Sequence, residues 1–269
     1  MLREKRAFAW ALARPVLCLL ACSLLLTGCS LRFKATPAPA PTATAPTAWQ
    51  TLQDGLTWRT LYPKGDELAQ IVVVRIDPRR FRFRAIYREG DPQSLAAWRS
   101  LEADASLIVN ANFFDENQRV LGAVVSDGVL HGAAYTERGG LFMLRDGSPT
   151  VTSYLSSQAQ IDDAVQQAVQ GFPLLVDQGQ PAYVSAANGE RNRRTLIAED
   201  RRGNILIMVA PFLGPSLDDL SAWLPTTDLA IVTAVNLDGG GSTMLALPAA
   251  DYLLPSFDAV PTVLAVYPR

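Results

Sequence analysis

The sequence feature that most constrains the fold is a turn with three consecutive glycines, Asn236-Leu-Asp-Gly-Gly-Gly-Ser-Thr243. One strand-like apolar run, residues 229–235, leads into this turn, and another, residues 244–247, leaves it. Ordered glycine costs conformational entropy, but it reaches positive φ and lets the backbone approach a ligand closely. The polar side chains around the glycines therefore favour a binding or catalytic site at the edge of the core. The alternative is a tight turn whose Asn and Asp bond only their own backbone.

The N-terminus has the pattern of a bacterial export signal. Four positive charges lie within residues 1–14, residues 16–26 are apolar, and Leu26-Thr-Gly-Cys29 ends the segment. This ending resembles the lipobox of bacterial lipoproteins, in which the cysteine is lipidated and becomes the first residue of the mature chain. The uncharged stretch is shorter than the roughly 20 residues that a membrane-spanning helix needs. We therefore expect a signal peptide over residues 1–28 and a membrane anchor through lipid on Cys29.

The segment that follows predicts a tether. Residues 31–48 are rich in proline, alanine and threonine and have no large apolar residue after Phe33. Such a segment favours extended polyproline II structure of roughly 50 Å. We expect residues 29–48 to hold a folded domain, residues 49–269, off a membrane. The expected location is the bacterial cell envelope, at the periplasmic face of the outer membrane.

Composition narrows the chemistry of the domain. No cysteine follows Cys29 and the only histidine is His131, so a cysteine zinc site is excluded and zinc catalysis is disfavoured. A Ser-His-Asp triad would depend on His131, which lies on a predicted surface hairpin, where a histidine is usually inert. The net charge of −2 gives no support for nucleic-acid binding.

The pattern along residues 49–269 predicts one α+β domain with a mixed, largely antiparallel sheet and a few packing helices. Short apolar runs bounded by turn residues predict strands. Asp127-Gly128 and Asp146-Gly147 each lie between apolar flanks, which is typical of tight hairpins.

Three helices are predicted from spacing and capping residues. The first spans residues 92–104 with Asp91 as its N-cap, and the second spans residues 158–170, where apolar residues recur every four positions. The third spans residues 216–224 with Ser216 as its N-cap.

Polar side chains cluster where three strand-like runs begin or end. Because strands of one sheet can place their ends along a common edge, we expect these clusters to converge on one pocket. The clusters are Asn110, Asn112 and Asp115; Arg193, Arg194 and Thr195; and Asn236, Asp238, Ser242 and Thr243.

The chemistry that remains is that of carboxylates. Paired carboxylates suit glycoside cleavage, with one as acid and the other as base or nucleophile. An arginine nearby would suit an anionic substrate. Oxygens of Asp and Asn could also hold a divalent cation such as calcium, and the sequence leaves that open.

The residues 236–243 resemble the signature of the phosphodiester glycosidase family. Asn110-Ala-Asn-Phe-Phe-Asp115 is similar to the family's Asn-Gly-Gly-Phe-Phe-Asp stretch, and Arg194-Thr195 resembles its Arg-Thr before a strand. The family includes the animal uncovering enzyme, which removes N-acetylglucosamine from its phosphodiester with mannose. Where the family continues with Ala-Ile-Gly, this chain has Leu196-Ile-Ala-Glu199.

The resemblance implies a hydrolase that cleaves a sugar-1-phosphodiester in an envelope glycan or glycoconjugate. It makes Asp238 the first candidate for a catalytic carboxylate and Asp115 the second, with Arg194 holding the phosphodiester. A non-catalytic envelope lipoprotein that binds a glycan or peptidoglycan is the alternative. The other residues expected to bind the substrate or a cation are Asn110, Asn112, Thr195, Asn236, Gly239, Gly240, Gly241, Ser242 and Thr243.

We predict that labelled palmitate enters the protein at Cys29, because the charged and apolar leader ends on a lipobox-like sequence. Metabolic labelling of the wild type and of Cys29→Ser checks this. Label in the wild type only supports the prediction, and equal labelling of both proteins contradicts it.

Overall fold

Antiparallel sheets dominate the computed structural model, which describes residues 41–135, 138–156, 159–185 and 189–269. Strand accounts for 46% and helix for 13% of the structure. The signal peptide and Cys29 lie outside the described residues. The strands and two α-helices are, in chain order, β1 (Gln50–Gln53), β2 (Leu56–Leu61), β3 (Ile71–Ile76), β4 (Phe81–Tyr87), α1 (Leu95–Leu101), β5 (Leu107–Asn110), β6 (Phe113–Phe114), β7 (Val120–Leu121), β8 (Val124–Ser126), β9 (Val129–His131), β10 (Gly140–Arg145), β11 (Ser148–Ser153), β12 (Val165–Gly171), β13 (Leu174–Asp177), β14 (Gln180–Pro181), β15 (Asn192–Asp200), β16 (Ile205–Gly214), α2 (Leu217–Trp223), β17 (Ile231–Asn236), β18 (Leu245–Leu247), β19 (Tyr252–Leu254) and β20 (Thr262–Pro268).

The strands form one large sheet and three smaller ones. The large sheet has eight strands in the order β1-β2-β3-β16-β15-β17-β13-β14. Two sheets of five strands have the orders β11-β10-β12-β8-β9 and β19-β18-β5-β20-β4, and β6 pairs with β7. The main core lies between the large sheet and the two five-stranded sheets, and it includes Val74, Phe142 and Leu264. The helix α2 covers the other face of the large sheet through Leu220.

The expectation of a mixed sheet is wrong for the described part of the chain, where the paired strands run antiparallel. Many connections are tight turns, as between β10 and β11 or β15 and β16, and a tight turn can join only antiparallel strands. The two predicted Asp-Gly turns are confirmed. Asp127 and Gly128 have φ of 50° and 82°, and Asp146 and Gly147 have 49° and 76°.

The helix predictions had mixed success. The third is confirmed, since α2 begins after Ser216, whose side chain accepts a hydrogen bond from Asp219 N–H at 3.1 Å. The first starts later than expected, because Ser94 caps α1. The Asp91 carboxylate instead binds the side chains of Arg88 and Gln93.

The second predicted helix, residues 158–170, is wrong. The C-terminal part of this range forms β12, the middle strand of a five-stranded sheet. Residue 158 lies outside the described residues. A four-residue spacing of apolar positions fits a strand as well as a helix, since side chains on one face of a strand recur every two residues. Gly171 ends this strand, at a position where a Cβ would lie 2.3 Å from Asn236 O.

The folded domain begins earlier than the sequence suggested. Thr42 Oγ1 donates to Asp251 O at 2.7 Å and accepts from Leu253 N–H at 2.8 Å. Ala45 is 5% exposed and belongs to the main core, and its carbonyl accepts a hydrogen bond from Thr60 Oγ1 at 3.1 Å. Residues 42–46 therefore pack on the domain, and the predicted tether cannot extend to residue 48.

Within the described residues, the helices are too short or too polar to cross a membrane.

We predict that a chain beginning at Trp49 is less stable than one beginning at Pro41. The shorter chain lacks Thr42 and Ala45, so it loses their hydrogen bonds to Asp251, Leu253 and Thr60, each of which contributes about 0.5–1.5 kcal/mol. Urea unfolding of the two proteins under identical conditions measures the difference. Equal free energies of unfolding would show that residues 41–48 contribute nothing to the domain.

Candidate active site

The three polar strand ends meet at one buried amide, that of Asn110, which is 1% exposed. Its Nδ2 donates to Asp238 O at 2.7 Å. Its Oδ1 accepts from Thr195 Oγ1 at 2.8 Å and from Met244 N–H at 3.0 Å. One side chain thus joins β5 and β15 to both sides of the glycine turn, so residues of all three clusters meet here. That the clusters share one pocket stays a prediction.

Backbone hydrogen bonds place the same segments together. Asp238 N–H donates to Ala111 O at 3.0 Å, and Leu237 N–H donates to Thr195 O at 2.8 Å. The bond to Thr195 continues the strand pairing of β15 with β17 as far as Leu237, and the bond to Ala111 joins Asp238 to the segment that follows β5. The position of Asp238 is therefore fixed by the ends of rigid strands.

The glycines of the turn are required by close approach and by conformation. Gly240 has φ of 59°, a left-handed conformation that favours glycine. At Gly241 a Cβ would lie 2.0 Å from Asp258 Oδ2. The N–H groups of Phe257 and Asp258 also donate to Gly241 O, at 2.8 and 3.2 Å. Glycine thus lets the loop that carries Asp258 dock directly on the turn.

The carboxylate of Asp238 is half-buried and has a high affinity for a proton. Burial raises the pKa of Asp238 to about 6, and the nearby Asp258 adds to this effect. The Ser242 hydroxyl and the Gly239 N–H, which donates to Asp238 Oδ1 at 2.8 Å, act in the opposite direction. A carboxylate with a pKa near neutrality is suited to accepting a proton during a reaction.

The sequence analysis did not identify Asp258. Asp258 lies in the loop between β19 and β20, where no sequence motif marks it, and only the docking of the loop on Gly241 brings it near Asp238.

Arg193 is buried and bonds to the end of the glycine turn. It is 4% exposed, and its Nη2 donates to Thr243 O at 2.6 Å and to Pro255 O at 2.9 Å. Its guanidinium also lies 5.1 Å from the centre of the Phe257 ring. Arg193 therefore joins the end of the turn to the loop of Asp258 and does not face an open cavity.

A cavity of about 590 Å³ adjoins the turn. Arg194 lines this cavity, and its Cα is 3.7 Å from the point where a Cβ of Gly239 would lie. Asn236 also lines it, donating from Nδ2 to Phe172 O at 2.9 Å, while its buried Oδ1 has no partner among the described residues. The remaining lining residues are Phe113, Arg138, Gly139, Ser153, Leu155, Phe172, Pro173, Leu174, Ala182, Tyr183 and Leu217.

One wall of the cavity is aromatic and cationic. The rings of Phe113 and Phe172 stack with centroids 4.4 Å apart, and Tyr135, which does not itself line the cavity, meets Phe172 edge-on at 5.4 Å. The Arg138 guanidinium lies 4.9 Å from the centre of the Phe172 ring. The sequence analysis did not identify these four residues as a site, because three come from loops that only the tertiary fold brings together.

Several predicted site residues serve the domain itself. Thr195 and Thr243 are fully buried, and Asn112 Nδ2 donates to Ala123 O and Gln170 O, both at 3.1 Å. The Asp115 carboxylate accepts from the N–H groups of residues 117 and 119 in the β6–β7 turn, at 2.8 and 2.9 Å. His131 packs edge-on against Tyr87 on a hairpin outside the cavity. A catalytic role for Asp115 stays a prediction.

No group of three or more His, Cys, Asp or Glu side chains is arranged around a common point in the described parts of the chain. The calcium site left open by the sequence stays a prediction.

The sequence matches the model of the phosphodiester glycosidase family over residues 103–267. The match covers more than half of the chain, so the protein belongs to this family, which confirms the resemblance of its sequence motifs. A comparison with curated protein sequences gave no match.

Solved structures of other proteins share the fold at low sequence identity. The catalytic domain of zebrafish N-acetylglucosamine-1-phosphodiester alpha-N-acetylglucosaminidase, auto-inhibited by its pro-peptide, gives a TM-score of 0.60 at 17% identity, over 88% of this chain and 85% of that one. A hypothetical protein from Synechocystis gives 0.59 at 19% identity, over 83% of this chain and 64% of that one, slightly less than two thirds of its length. At these identities the likeness establishes the fold alone.

We predict that Asn110→Ala destabilises the domain by roughly 3–5 kcal/mol, because it leaves three buried polar groups without partners. Chemical denaturation measures the loss. Asn117→Ala is the matched control, since the side chain of Asn117 is exposed and its replacement should change little. A similar small effect of both substitutions would show that the Asn110 amide does not hold the turn.

Proposed function

We propose that the protein is a phosphodiester glycosidase, a hydrolase that cleaves the bond between the anomeric carbon of a sugar and a phosphodiester. The observation that carries the proposal is a cationic and aromatic cavity adjoining a fixed carboxylate with a raised pKa, that of Asp238. Membership of the phosphodiester glycosidase family supports the same reaction class.

The cavity offers groups that suit each part of such a substrate. Arg138 and Arg194 line it, and the described lining residues include no Asp or Glu, which favours a phosphodiester anion. Burial lowers the pKa of Arg194, and an anion beside it would relieve that effect. The stacked rings of Phe113 and Phe172 offer an apolar face to a sugar ring, and Asn236 Oδ1 is available to a sugar hydroxyl.

The reaction needs a carboxylate that acts as a base, and it does not need a general acid. A phosphate monoester is a stable anion, so it can leave the anomeric carbon without first receiving a proton. The demanding step is the attack of water, and the Asp238 carboxylate can take a proton from that water. The water oxygen then bonds to the anomeric carbon, the bond from that carbon to the phosphate oxygen breaks, and the phosphate monoester departs with the bonding electrons.

A second candidate function is binding of a sugar phosphodiester or envelope glycan without turnover. One observation favours it: the residues that line the cavity include Arg194 and Asn236 but not Asp238. Release of free sugar separates the two functions, because a binding protein would hold the diester intact.

We also propose, from the N-terminal sequence, that lipid on Cys29 holds the protein at the periplasmic face of the outer membrane. A substrate in the cell envelope would then lie within reach of the domain. Cell fractionation tests this, and recovery of the protein in the cytoplasm would contradict it.

We predict that Asp238→Asn lowers turnover at least roughly a hundredfold, the effect expected for loss of a general base. In the wild type, kcat/KM should fall as the pH falls through about 6, because protonation of Asp238 removes the base. Release of sugar from a panel of hexose and N-acetylhexosamine 1-phosphate methyl diesters measures both effects.

The control variant is Asp115→Asn, which removes a carboxylate that is bonded within its own turn. We expect it to lose much less activity than Asp238→Asn. The Asp238→Asn protein should fold. The raised pKa of Asp238 contributes stability only below about pH 6, and above that pH the charged carboxylate opposes folding. The neutral amide removes this charge. Full activity of Asp238→Asn beside an inactive Asp115→Asn would overturn the assignment.

A further inference from the structure

A second cavity, of about 710 Å³, lies next to the one that Arg194 lines. The two cavities are adjacent, so a ligand seated in the first can continue into the second. They share Ser153, Leu155, Leu174 and Ala182.

The second cavity has the opposite electrostatic character. Asp177 and Glu199 line it, together with Thr150, Thr152 and Thr233, and its described lining residues include no Lys, Arg or His. We call it the acidic groove. Neither carboxylate takes part in the ion pairs found among the described residues. Among the described residues, the first cavity is lined by two arginines and no carboxylate, so charge changes sign along this part of the combined groove.

The fold holds the Glu199 carboxylate in place. Glu199 lies on β15 directly opposite Thr233 on β17, in the large sheet. Its Oε2 accepts a hydrogen bond at 2.8 Å from the N–H of Val151, which lies on β11, the edge strand of a five-stranded sheet. Its Oε1 accepts no hydrogen bond from the described residues. Glu199 is thus anchored through one oxygen and has the other available to a ligand.

The strand β15 sets the distance between the two charged ends of the groove. Arg194, in the wall of the first cavity, lies five residues before Glu199, in the wall of the acidic groove. At about 3.3 Å per residue along a strand, their backbone positions are roughly 16 Å apart. A six-carbon chain can cross such a distance together with the reach of the Arg194 and Glu199 side chains.

We propose that the acidic groove binds an ammonium group carried by the alcohol part of the substrate. The inference rests on the proposed function, which places the phosphodiester at Arg194. The preferred substrates are then sugar phosphodiesters of a long amino alcohol, whose nitrogen is separated from the phosphate by about six carbons while the Arg194 and Glu199 side chains span the rest of the distance. Carboxylates without an ion-pair partner among the described residues attract a cation, and the threonine hydroxyls accept its remaining N–H groups.

A purely structural role accounts for only part of this arrangement. Glu199 accepts a hydrogen bond from an N–H of the edge strand β11, and an unpaired N–H on an edge strand can otherwise pair with a strand of another chain. A neutral glutamine would serve that purpose equally well, and the role does not explain why Asp177 lines the same groove. Burial raises the pKa of Glu199, and an ammonium ion in the groove would oppose this shift.

The test uses two ligands that differ only in charge at the far end. They are the aminohexyl and hydroxyhexyl diesters of N-acetylglucosamine 1-phosphate. Calorimetry gives the Kd of each ligand for the full chain, for Glu199→Gln and for Asp177→Asn, and sugar release is measured in parallel. Glu199→Gln keeps an acceptor for Val151 N–H, so it should melt at the wild-type temperature. The control variant Glu67→Gln removes the same charge from an exposed position.

We expect wild type and Glu67→Gln to bind the aminohexyl ester about tenfold or more tightly than the hydroxyhexyl ester, as for a charge-assisted hydrogen bond. Glu199→Gln should lose most of this difference while its Kd for the hydroxyhexyl ester is unchanged, and Asp177→Asn should lose part of it. The inference is overturned if the wild type binds both esters with equal affinity or does not bind the aminohexyl ester. It is also overturned if the preference for the aminohexyl ester survives in Glu199→Gln.

Turnover separates this inference from the proposed function. A preference for the amine without any release of sugar would support the acidic groove and contradict the hydrolase. Release of sugar from both esters at equal rates and equal Kd would support the hydrolase and contradict the acidic groove.

Discussion

The architecture of the site depends on one buried amide. Asn110 bonds to residues 85, 128 and 134 positions away in the chain, and through them it fixes β5, β15 and both sides of the glycine turn. The turn needs such an anchor because its three glycines have no side chains with which to pack. Glycine also lets the loop of Asp258 approach the turn, and this loop restricts the backbone motion that the glycines would otherwise allow.

Polar residues near the turn fall into two groups with different roles. Asn110, Arg193 and Thr195 are buried and bonded within the domain, where they position the turn. Asp238 is only half-buried, and Arg194 and Asn236 face the cavity, so these residues remain available to a ligand. Beyond them the groove changes from arginines to carboxylates, which gives the combined surface a direction along which a charged substrate can align.

Local patterns predicted the parts of the structure that local physics determines. The Asp-Gly hairpins, the cap at Ser216 and the meeting of the Asn110, Arg194 and Asp238 segments follow from turn chemistry and from the ends of apolar strands. The strand β12 was predicted as a helix because its apolar spacing fits both structures. The aromatic wall and Asp258 depend on loops that contact each other only in the folded domain, which no local pattern records.

The most direct test of the account is a crystal structure of Asp238→Asn with an intact sugar-1-phosphodiester bound. The account predicts phosphate oxygens within about 3 Å of the Arg194 guanidinium, the sugar against the ring of Phe113, and the anomeric carbon facing residue 238. A diester bound outside the cavity, or one whose anomeric carbon is turned away from residue 238, would contradict the assignment of this site to glycoside cleavage.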